Sequence, residues 1–254
     1  MLQRAITKRY PSPEFNAGNR IVNAENDFIP GLVVDRYSNF LVLQALTLYI
    51  DRNKTMIAEL LAELFAEANM LIKGIYERSD VDVRGKEGLG HSTGVLWGEE
   101  PPELISFRKD DSVLLVDVRT GHKTGYYLDQ CENHSIIANL AKHNGWTKET
   151  HSLLNTFSFS GGFGLQASAH VVNVDSSAEA LELAEATYRE NDWQANDVEY
   201  VQADVFQYLR DCADDGNCAE CSRAGALVQM CRGVDVQMCS GAEVQSTRCK
   251  GACA

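Results

Sequence analysis

The stretch that decides the fold covers residues 155–164 and reads Asn-Thr-Phe-Ser-Phe-Ser-Gly-Gly-Phe-Gly. It ends an apolar run that begins at Leu153, and such a run predicts a buried strand. Glycine has no Cβ, so Gly161 and Gly162 let the backbone turn sharply and approach a ligand closely. The stretch therefore predicts a strand whose carboxyl end turns into a ligand-binding loop and a helix.

Two further strand candidates follow, and each leads to an acidic residue. Residues 171–174 lead to Asp175, residues 198–201 lead to Asp204, and residues 177–190 between them have the spacing of an amphipathic helix. This alternation predicts parallel βαβ units, in which ligands bind beyond the carboxyl ends of the strands. A single Asp after a strand is more often a helix cap. The ordered set instead predicts an adenosine site, with the Asp175 carboxylate on the ribose hydroxyls and Asp204 near the adenine amino group.

The residues upstream of these strands predict a separate α+β arrangement. Residues 31–48 predict a β-hairpin that turns at residues 37–39, where Ser-Asn is typical of turns. A helix is predicted over residues 51–69, with Asp51 or Thr55 as its N-cap. Shorter apolar runs predict strands at residues 71–76, 95–97 and 112–118. Together these elements predict a small domain with a mixed sheet.

Composition and charge exclude several classes of protein. The chain has 254 residues, 44% of them hydrophobic, and a formal net charge of −13, which disfavours non-specific nucleic-acid binding because phosphate contacts need Lys and Arg. The longest apolar stretch, residues 40–50, is far too short to cross a bilayer, and the first ten residues have no signal-peptide core. We therefore expect a cytoplasmic protein with no membrane partner.

A resemblance to a known family rests on several motifs in one consistent order. Residues 121–130, Gly-His-Lys-Thr-Gly-Tyr-Tyr-Leu-Asp-Gln, are similar to the signature just upstream of the cofactor domain in bacterial large-subunit ribosomal RNA cytosine-C5 methyltransferases. Residues 155–163, 174–177 and 204–206 resemble the three S-adenosylmethionine (SAM) motifs of that family. Residues 31–44 and 76–80 resemble its central domain.

The resemblance implies an α/β fold, with a small α+β central domain followed by the first part of a Rossmann-like class I methyltransferase domain. We accordingly divide the chain into a linker or helix over 1–20, the central domain over 21–120, an incomplete SAM-binding domain over 121–211 and an atypical tail over 212–254. The implied reaction is methyl transfer from SAM to C5 of a cytosine in ribosomal RNA. Such a reaction normally needs a cysteine nucleophile that attacks C6, and we assign no catalytic residue here.

The resemblance also implies a set of cofactor-binding residues. The methionine side of SAM is expected to contact Phe157, Ser158, Gly161 and Phe163. Asp175, followed by Ser176 in the same motif, is expected to hold the ribose, while Asp204 and Val205 border the adenine. Tyr127 and Asp129 are expected to close the pocket from the upstream segment. No metal site is expected.

Two alternatives belong to other functional classes. A nicotinamide dehydrogenase would have G-x-G-x-x-G after its first strand and an acidic residue about 20 positions on. Here residues 160–164 read Ser-Gly-Gly-Phe-Gly and Asp175 comes sooner, so this alternative ranks below a methyltransferase. The other alternative is a SAM-binding chain without catalytic activity.

The second alternative rests on departures from the family pattern. The family's Asp-Pro-Pro and Ser-Cys-Ser-type motifs are missing, and no proline follows Pro102. The chain also begins after the place of the family's N-terminal RNA-binding domain, a PUA-type barrel, which fits its acidic balance. Cys131 stands where the signature usually continues with arginine, and we expect it to be a small buried residue. The crossover over residues 160–170 leaves room for a helix of at most about two turns.

The tail has an unusual composition. It holds seven of the eight cysteines and has no period that predicts a helix or strand, which is what a frame-shifted reading frame would produce. The alternative is a zinc site at Cys218, Cys221, Cys249 and Cys253. A Rossmann-like sheet with only three strands would leave an unpaired edge, so we also expect poor solubility or a homodimer through that edge.

Overall fold

The computed structural model describes residues 1–9, 18–167, 169–214, 224–230, 235–240 and 243–248, with the backbone alone from residue 213 onward. The chain forms two compact units, Met1–Leu128 and Asp129–Ala254. Each unit contains its own sheet.

The first unit is an α+β domain with a mixed sheet, as predicted. Its elements are α1 (Leu2–Arg9), β1 (Gly18–Asn23), β2 (Leu32–Tyr37), β3 (Phe40–Ala45), α2 (Leu48–Glu67), β4 (Gly74–Ser79), β5 (Ser92–Gly98), β6 (Ile105–Lys109) and β7 (Ser112–Val116). Five strands form a sheet in the order β1-β2-β3-β4-β5, and β6 pairs with β7 as a hairpin. Within the larger sheet β3 and β4 pair in parallel, while the other neighbours are antiparallel.

The predicted hairpin is present, but the predicted helix start is wrong. Strands β2 and β3 meet at a tight turn in which Ser38 has a φ of 52°. Helix α2 begins at Leu48, with Thr47 at the N-cap position. Asp51 does not cap the helix, because it lies one turn inside it, where its amide donates to the Thr47 carbonyl and its carboxylate binds Lys54 and Arg84. The carboxylate that was expected to accept from a backbone amide therefore binds two cationic side chains.

A buried ionic cluster ties α2 to the sheet. Glu77 on β4 is 2% exposed, and its carboxylate accepts from Lys54 Nζ at 3.0 Å and from Ser92 Oγ at 2.9 Å. Lys54 Nζ also lies 3.2 Å from Asp51 Oδ1, which accepts from Arg84 at 2.9 Å. Burial opposes the charge on Asp51, but bonds from Arg84 and Lys54 outweigh it and lower the pKa of that carboxyl.

The strand expected over residues 71–76 begins later, at Gly74. Two backbones pack closely where it begins, because a Cβ on Gly74 would lie 2.0 Å from the Glu99 carbonyl oxygen. Strand β6 was not predicted, although its side chains alternate between buried and exposed.

The second unit is a parallel α/β arrangement, as predicted. Its elements are α3 (Cys131–His143), β8 (Ser152–Thr156), α4 (Gly162–Leu165), β9 (His170–Asp175), α5 (Ala178–Glu190), β10 (Val198–Gln202), α6 (Val205–Asp214), β11 (Ala224–Met230), β12 (Asp235–Ser240) and β13 (Glu243–Arg248). The strand order is β10-β9-β8-β11-β12-β13. Strands β8, β9, β10 and β11 run parallel, whereas β12 and β13 continue the sheet antiparallel.

The strand order corrects the prediction of an open edge. The chain winds outward from β8 through β9 to β10 and then returns to the other side of β8, where β11 pairs with it. The edge that was expected to mediate dimerisation is therefore covered by β11. The strand order reverses at β8, and such a switch point is where open α/β sheets bind ligands.

The predicted short crossover is confirmed, while Cys131 differs from expectation. Helix α4 is a single turn of four residues, within the two turns that the spacing allows. Cys131 begins α3 and is half-buried rather than buried. The cysteines of the alternative zinc site, residues 218, 221, 249 and 253, lie outside the described residues.

Candidate cofactor-binding site

The loop that leaves β8 has an unusual backbone. Phe157, Phe159 and Gly161 have φ values of 52°, 47° and 75°, all in the left-handed region. That region is unfavourable for residues with a Cβ, and such residues are concentrated at ligand-binding loops held by their surroundings. The Gly161 amide donates to the Ser158 carbonyl at 2.8 Å, and the Ser158 amide donates to the Val174 carbonyl at 3.1 Å. The loop therefore folds back over the end of β9.

Asp175 holds this loop. Its Oδ2 atom accepts from the Phe159 amide at 2.9 Å, and its Oδ1 atom accepts from the Ser177 amide at 3.0 Å. A carboxylate has about four lone-pair positions, so each oxygen retains capacity for one further donor. Asp175 is partly exposed. Asp175, which is predicted to bind the ribose, thus lies at the predicted strand end. Its carboxylate also organises the glycine-rich loop.

Ser158 fits a polar ligand group. Its side chain is 2% exposed, and its hydroxyl oxygen is buried with no hydrogen-bond partner among the described residues. Buried hydroxyls nearly always form a hydrogen bond, so one without a partner in the protein is available to bind a ligand group. The left-handed turn at Gly161 and this unpaired hydroxyl are features that suit the polar methionine end of SAM. The residues present therefore fit the group.

Two aromatic rings from separate segments of the second unit meet each other. The rings of Phe157, after β8, and Phe206, on the first turn of α6, have centroids 5.6 Å apart and meet edge to face. Phe206 is 56% exposed. An exposed ring at this edge offers an apolar surface on which a base stacks. Phe206 belongs to the third SAM motif but has no predicted role. Only the structure shows that its ring is exposed next to the buried Val205.

Several predicted residues have structural roles. Asp204 is exposed and caps α6, because its Oδ1 atom accepts from the Gln207 amide at 2.8 Å. Val205 is 2% exposed and packs with Leu154, so its side chain belongs to the core. Phe163 is 1% exposed and packs edge to face on His134 with centroids 4.3 Å apart. The burial of the Phe163 ring is that of a core residue and does not support the expectation that the ring lines the methionine side.

The remaining predicted residues stay predictions. Ser176 is exposed, and its carbonyl accepts from Gln202 at 3.3 Å. Tyr127 belongs to the first unit, where its hydroxyl lies 3.1 Å from His122 Nδ1 and Lys123 Nζ lies 4.4 Å from its ring centroid. Asp129 begins the second unit. The structure therefore brings together Phe157, Ser158, Gly161 and Asp175 and leaves the closing role of Tyr127 and Asp129 as an expectation.

The described part of the chain lacks two kinds of feature. It contains no group of three or more His, Cys, Asp or Glu side chains placed to hold a metal ion. No helix there is long and apolar enough to span a membrane.

The parallel sheet, the switch point and the glycine-rich loop define a Rossmann-like fold of the SAM-dependent methyltransferase class. A protein of Streptococcus mutans proposed to be a SAM-dependent methyltransferase superposes with a TM-score of 0.66 at 20% identity, over 85% of this chain and 54% of its own. The tRNA m1G37 methyltransferase of M. jannaschii superposes with a TM-score of 0.54 at 14% identity, over 90% of this chain and 64% of its own. At these identities the likeness shows the fold alone.

Sequence relatives identify the family. A ribosomal RNA large subunit methyltransferase I of Aliivibrio fischeri is 40% identical over 203 residues, which is 78% of this chain and 48% of the relative. The protein of that name in Vibrio parahaemolyticus is 42% identical over 205 residues, which is 78% of this chain and 49% of the relative. The chain belongs to this family, and it spans about half the length of the curated relatives it matches. No family model matches the chain.

Proposed function

We propose that the second unit binds SAM and that the chain functions as a methyltransferase acting on large-subunit ribosomal RNA. The observation that carries the proposal is the double role of Asp175, which anchors the loop after β8 and keeps hydrogen-bonding capacity at the switch point. A structure of a methyltransferase with the same fold is in complex with S-adenosylhomocysteine (SAH), which supports the choice of cofactor.

Each part of the cofactor has a proposed partner. The ribose hydroxyls donate to the two Asp175 oxygens, and the adenine lies against the exposed ring of Phe206. The methionine end lies over Gly161, with its polar groups near the unpaired Ser158 hydroxyl. When bound, SAM supplies an electrophilic methyl group on its sulfonium. The chain's own residues bind and orient it, and the packed loop excludes water from the methionine side.

The substrate is proposed from the relatives. Their names specify large-subunit ribosomal RNA, and the motif resemblance adds C5 of a cytosine as the methylated atom. This substrate is consistent with the expected cytoplasmic location. Because the chain has a formal net charge of −13, RNA contacts require a local basic patch or another module.

Calorimetry with SAH tests the proposal directly. SAH should bind with one site per chain and should raise the unfolding temperature, because a ligand that binds only the native state stabilises it. Transfer of a labelled methyl group from SAM to ribosomal RNA that lacks the modification then tests the reaction. Absence of SAH binding would sink the cofactor assignment. NADH in the same titration tests the dehydrogenase alternative.

A second candidate function is SAM binding without methyl transfer. The observation that favours it is the sequence after β10, which has no Asp-Pro-Pro motif and no proline at all. The two experiments distinguish the two candidate functions, because the second predicts full SAH affinity but no transfer of the labelled methyl group to the RNA.

Association of two chains is the remaining expectation. The sheet edge that motivated a homodimer is paired in the structure, so a dimer would have to use another surface. Light scattering over a range of protein concentrations decides between a monomer and a dimer.

A further inference from the structure

Tyr188 lies directly behind the glycine-rich loop. It belongs to α5, is 1% exposed, and its hydroxyl donates to the Gly161 carbonyl at 3.1 Å. Burial raises the pKa of this phenol far above its ordinary value, so the hydroxyl keeps its proton and remains a donor. A buried, permanently protonated donor thus contacts the residue at which the loop turns into α4.

The ring of Tyr188 also fills the space beside the loop glycines. A Cβ on Gly161 would lie 2.5 Å from Tyr188 Cε2, and a Cβ on Gly164 would lie 2.3 Å from the Tyr188 hydroxyl oxygen. Two further rings hold the tyrosine in place. The ring of Trp193 has its centroid 4.8 Å away, and that of Tyr200 has its centroid 6.1 Å away.

The hydrogen bond from Tyr188 is connected to the proposed ligand-binding atoms through the loop backbone. The Gly161 amide donates to the Ser158 carbonyl, and the Leu165 amide donates to the Gly161 carbonyl that also accepts from Tyr188. A shift of Gly161 therefore moves Ser158, whose buried hydroxyl has no partner among the described residues. Asp175 anchors the same loop independently through the Phe159 amide.

We propose that Tyr188 is a positioning residue that sets the loop for the methionine half of the cofactor while leaving the adenosine half to Asp175. This inference rests on the proposed function, because it presumes that the loop contacts SAM. It differs from a general packing role in one respect. A packing defect weakens the whole site, whereas a loop defect weakens only those ligands that carry the amino-acid part.

The test compares two ligands and two variants. Tyr188→Phe keeps the ring and removes the hydroxyl, while Tyr200→Phe removes a hydroxyl from the ring packed edge-on against Tyr188. Affinities for SAH and for 5′-methylthioadenosine, which lacks the amino-acid part, are measured by calorimetry well below the unfolding temperature. The Tyr188 variant should lose about threefold to tenfold in SAH affinity, the effect of one neutral hydrogen bond. Its 5′-methylthioadenosine affinity should equal that of the unaltered chain.

The control and the contrary outcomes follow from the same design. Tyr200→Phe should bind both ligands as the unaltered chain does. Equal losses for both ligands in Tyr188→Phe, or equal losses in both variants, would show a general packing role and overturn the proposal.

A measurement without ligand keeps the inference separate from the proposed function. In Tyr188→Phe, the amides of Gly161 and Leu165 should exchange hydrogen faster than in the unaltered chain, and in Tyr200→Phe they should not. If SAH fails to bind the unaltered chain, the cofactor assignment is lost, and exchange alone decides whether Tyr188 positions the loop. Unchanged exchange at both amides would overturn the positioning role.

Discussion

The Oδ2 atom of Asp175 accepts a hydrogen bond of 2.9 Å from the Phe159 amide, which joins the end of β9 to the loop that leaves β8. The two residues are 16 positions apart in the chain, yet their strands are neighbours in the sheet. Because Phe159 has a φ of 47°, this bond helps to hold a backbone conformation that a residue with a Cβ rarely adopts. The carboxylate that we propose as the ribose ligand is therefore also part of the loop's framework.

Asp175→Asn should weaken SAH binding by about tenfold to a hundredfold, as expected for the loss of a charged hydrogen-bond acceptor worth about 1.5–3 kcal/mol. One oxygen becomes an NH2 group that cannot accept from the Phe159 amide or from a ribose hydroxyl. Calorimetry with SAH measures the loss. Asp211→Asn, an exposed change of the same charge on α6, is the control and should bind normally. Undiminished affinity in the Asp175 variant would remove Asp175 from the site.

Gly161→Ala should destabilise the second unit more than Gly145→Ala. Both glycines have positive φ values, 75° and 65°, but a Cβ on Gly161 meets Tyr188 at 2.5 Å while a Cβ on Gly145 meets nothing within 4 Å. The left-handed conformation costs each variant about 1–2 kcal/mol, and overpacking adds about 1–3 kcal/mol to the first alone. Urea unfolding measures the difference. Equal free energies of unfolding in the two variants would show that the loop moves away from Tyr188 without cost.

Phe206→Ala should reduce the affinity for SAH by about fivefold to a hundredfold, because stacking of a base on an aromatic ring is worth about 1–3 kcal/mol. The loss should be the same for adenosine, since the adenine is the part that stacks. Ile136→Ala, which truncates another exposed apolar side chain of the second unit, is the matched control. If both variants retain the affinity of the unaltered chain, the adenine does not lie on Phe206.

Asp51→Asn should remove part of the acid dependence of the first unit's stability. The pKa of Asp51 is lowered in the folded protein from a value of 3.8. Its ion pairs with Lys54 and Arg84 therefore stabilise the fold above about pH 4, and this contribution is lost as the pH falls through the lowered pKa. The free energy of unfolding between pH 2 and pH 6, conditions chosen on this basis, should vary less in the variant.

Glu59→Gln is the control for this measurement, because Glu59 is an exposed carboxylate on the same helix. It should keep the pH dependence of the unaltered chain. An identical pH profile for Asp51→Asn would mean that the cluster around Glu77 takes no part in acid unfolding.

The regular parts of the fold could be predicted from the sequence because they follow from local rules. Alternation of apolar runs and helical spacing gave β9, α5 and β10 to within one residue and β8 to within three, and Ser38-Asn39 marked the β2–β3 turn. The same patterns identified Asp175 as an acidic residue at a strand end. Each of these features depends on residues close together in the chain, where periodicity and turn preferences carry the information.

Other features depended on which segments meet. The pairing of β11 with β8 has no local signature, because the tail lacks a hydrophobic period. The carboxylate of Asp51 binds Arg84 rather than capping the helix, since the helix begins at Leu48 and the sheet brings Arg84 within reach. The burial of Phe163 and Val205, which the resemblance predicts as ligand contacts, was also not foreseen, because burial is a property of the packed sheet and not of a motif.

The sequence by itself determined the family, the order of the strands along the chain and the position of the acidic strand ends, because motifs and periodicity are written in neighbouring residues. Only the tertiary structure decided that Phe206 meets Phe157, that Asp175 closes the loop at Phe159, and that Tyr188 stands behind Gly161. These contacts join residues 16 to 49 positions apart, and the arrangement of parallel strands, which brings their carboxyl ends to one edge, creates them.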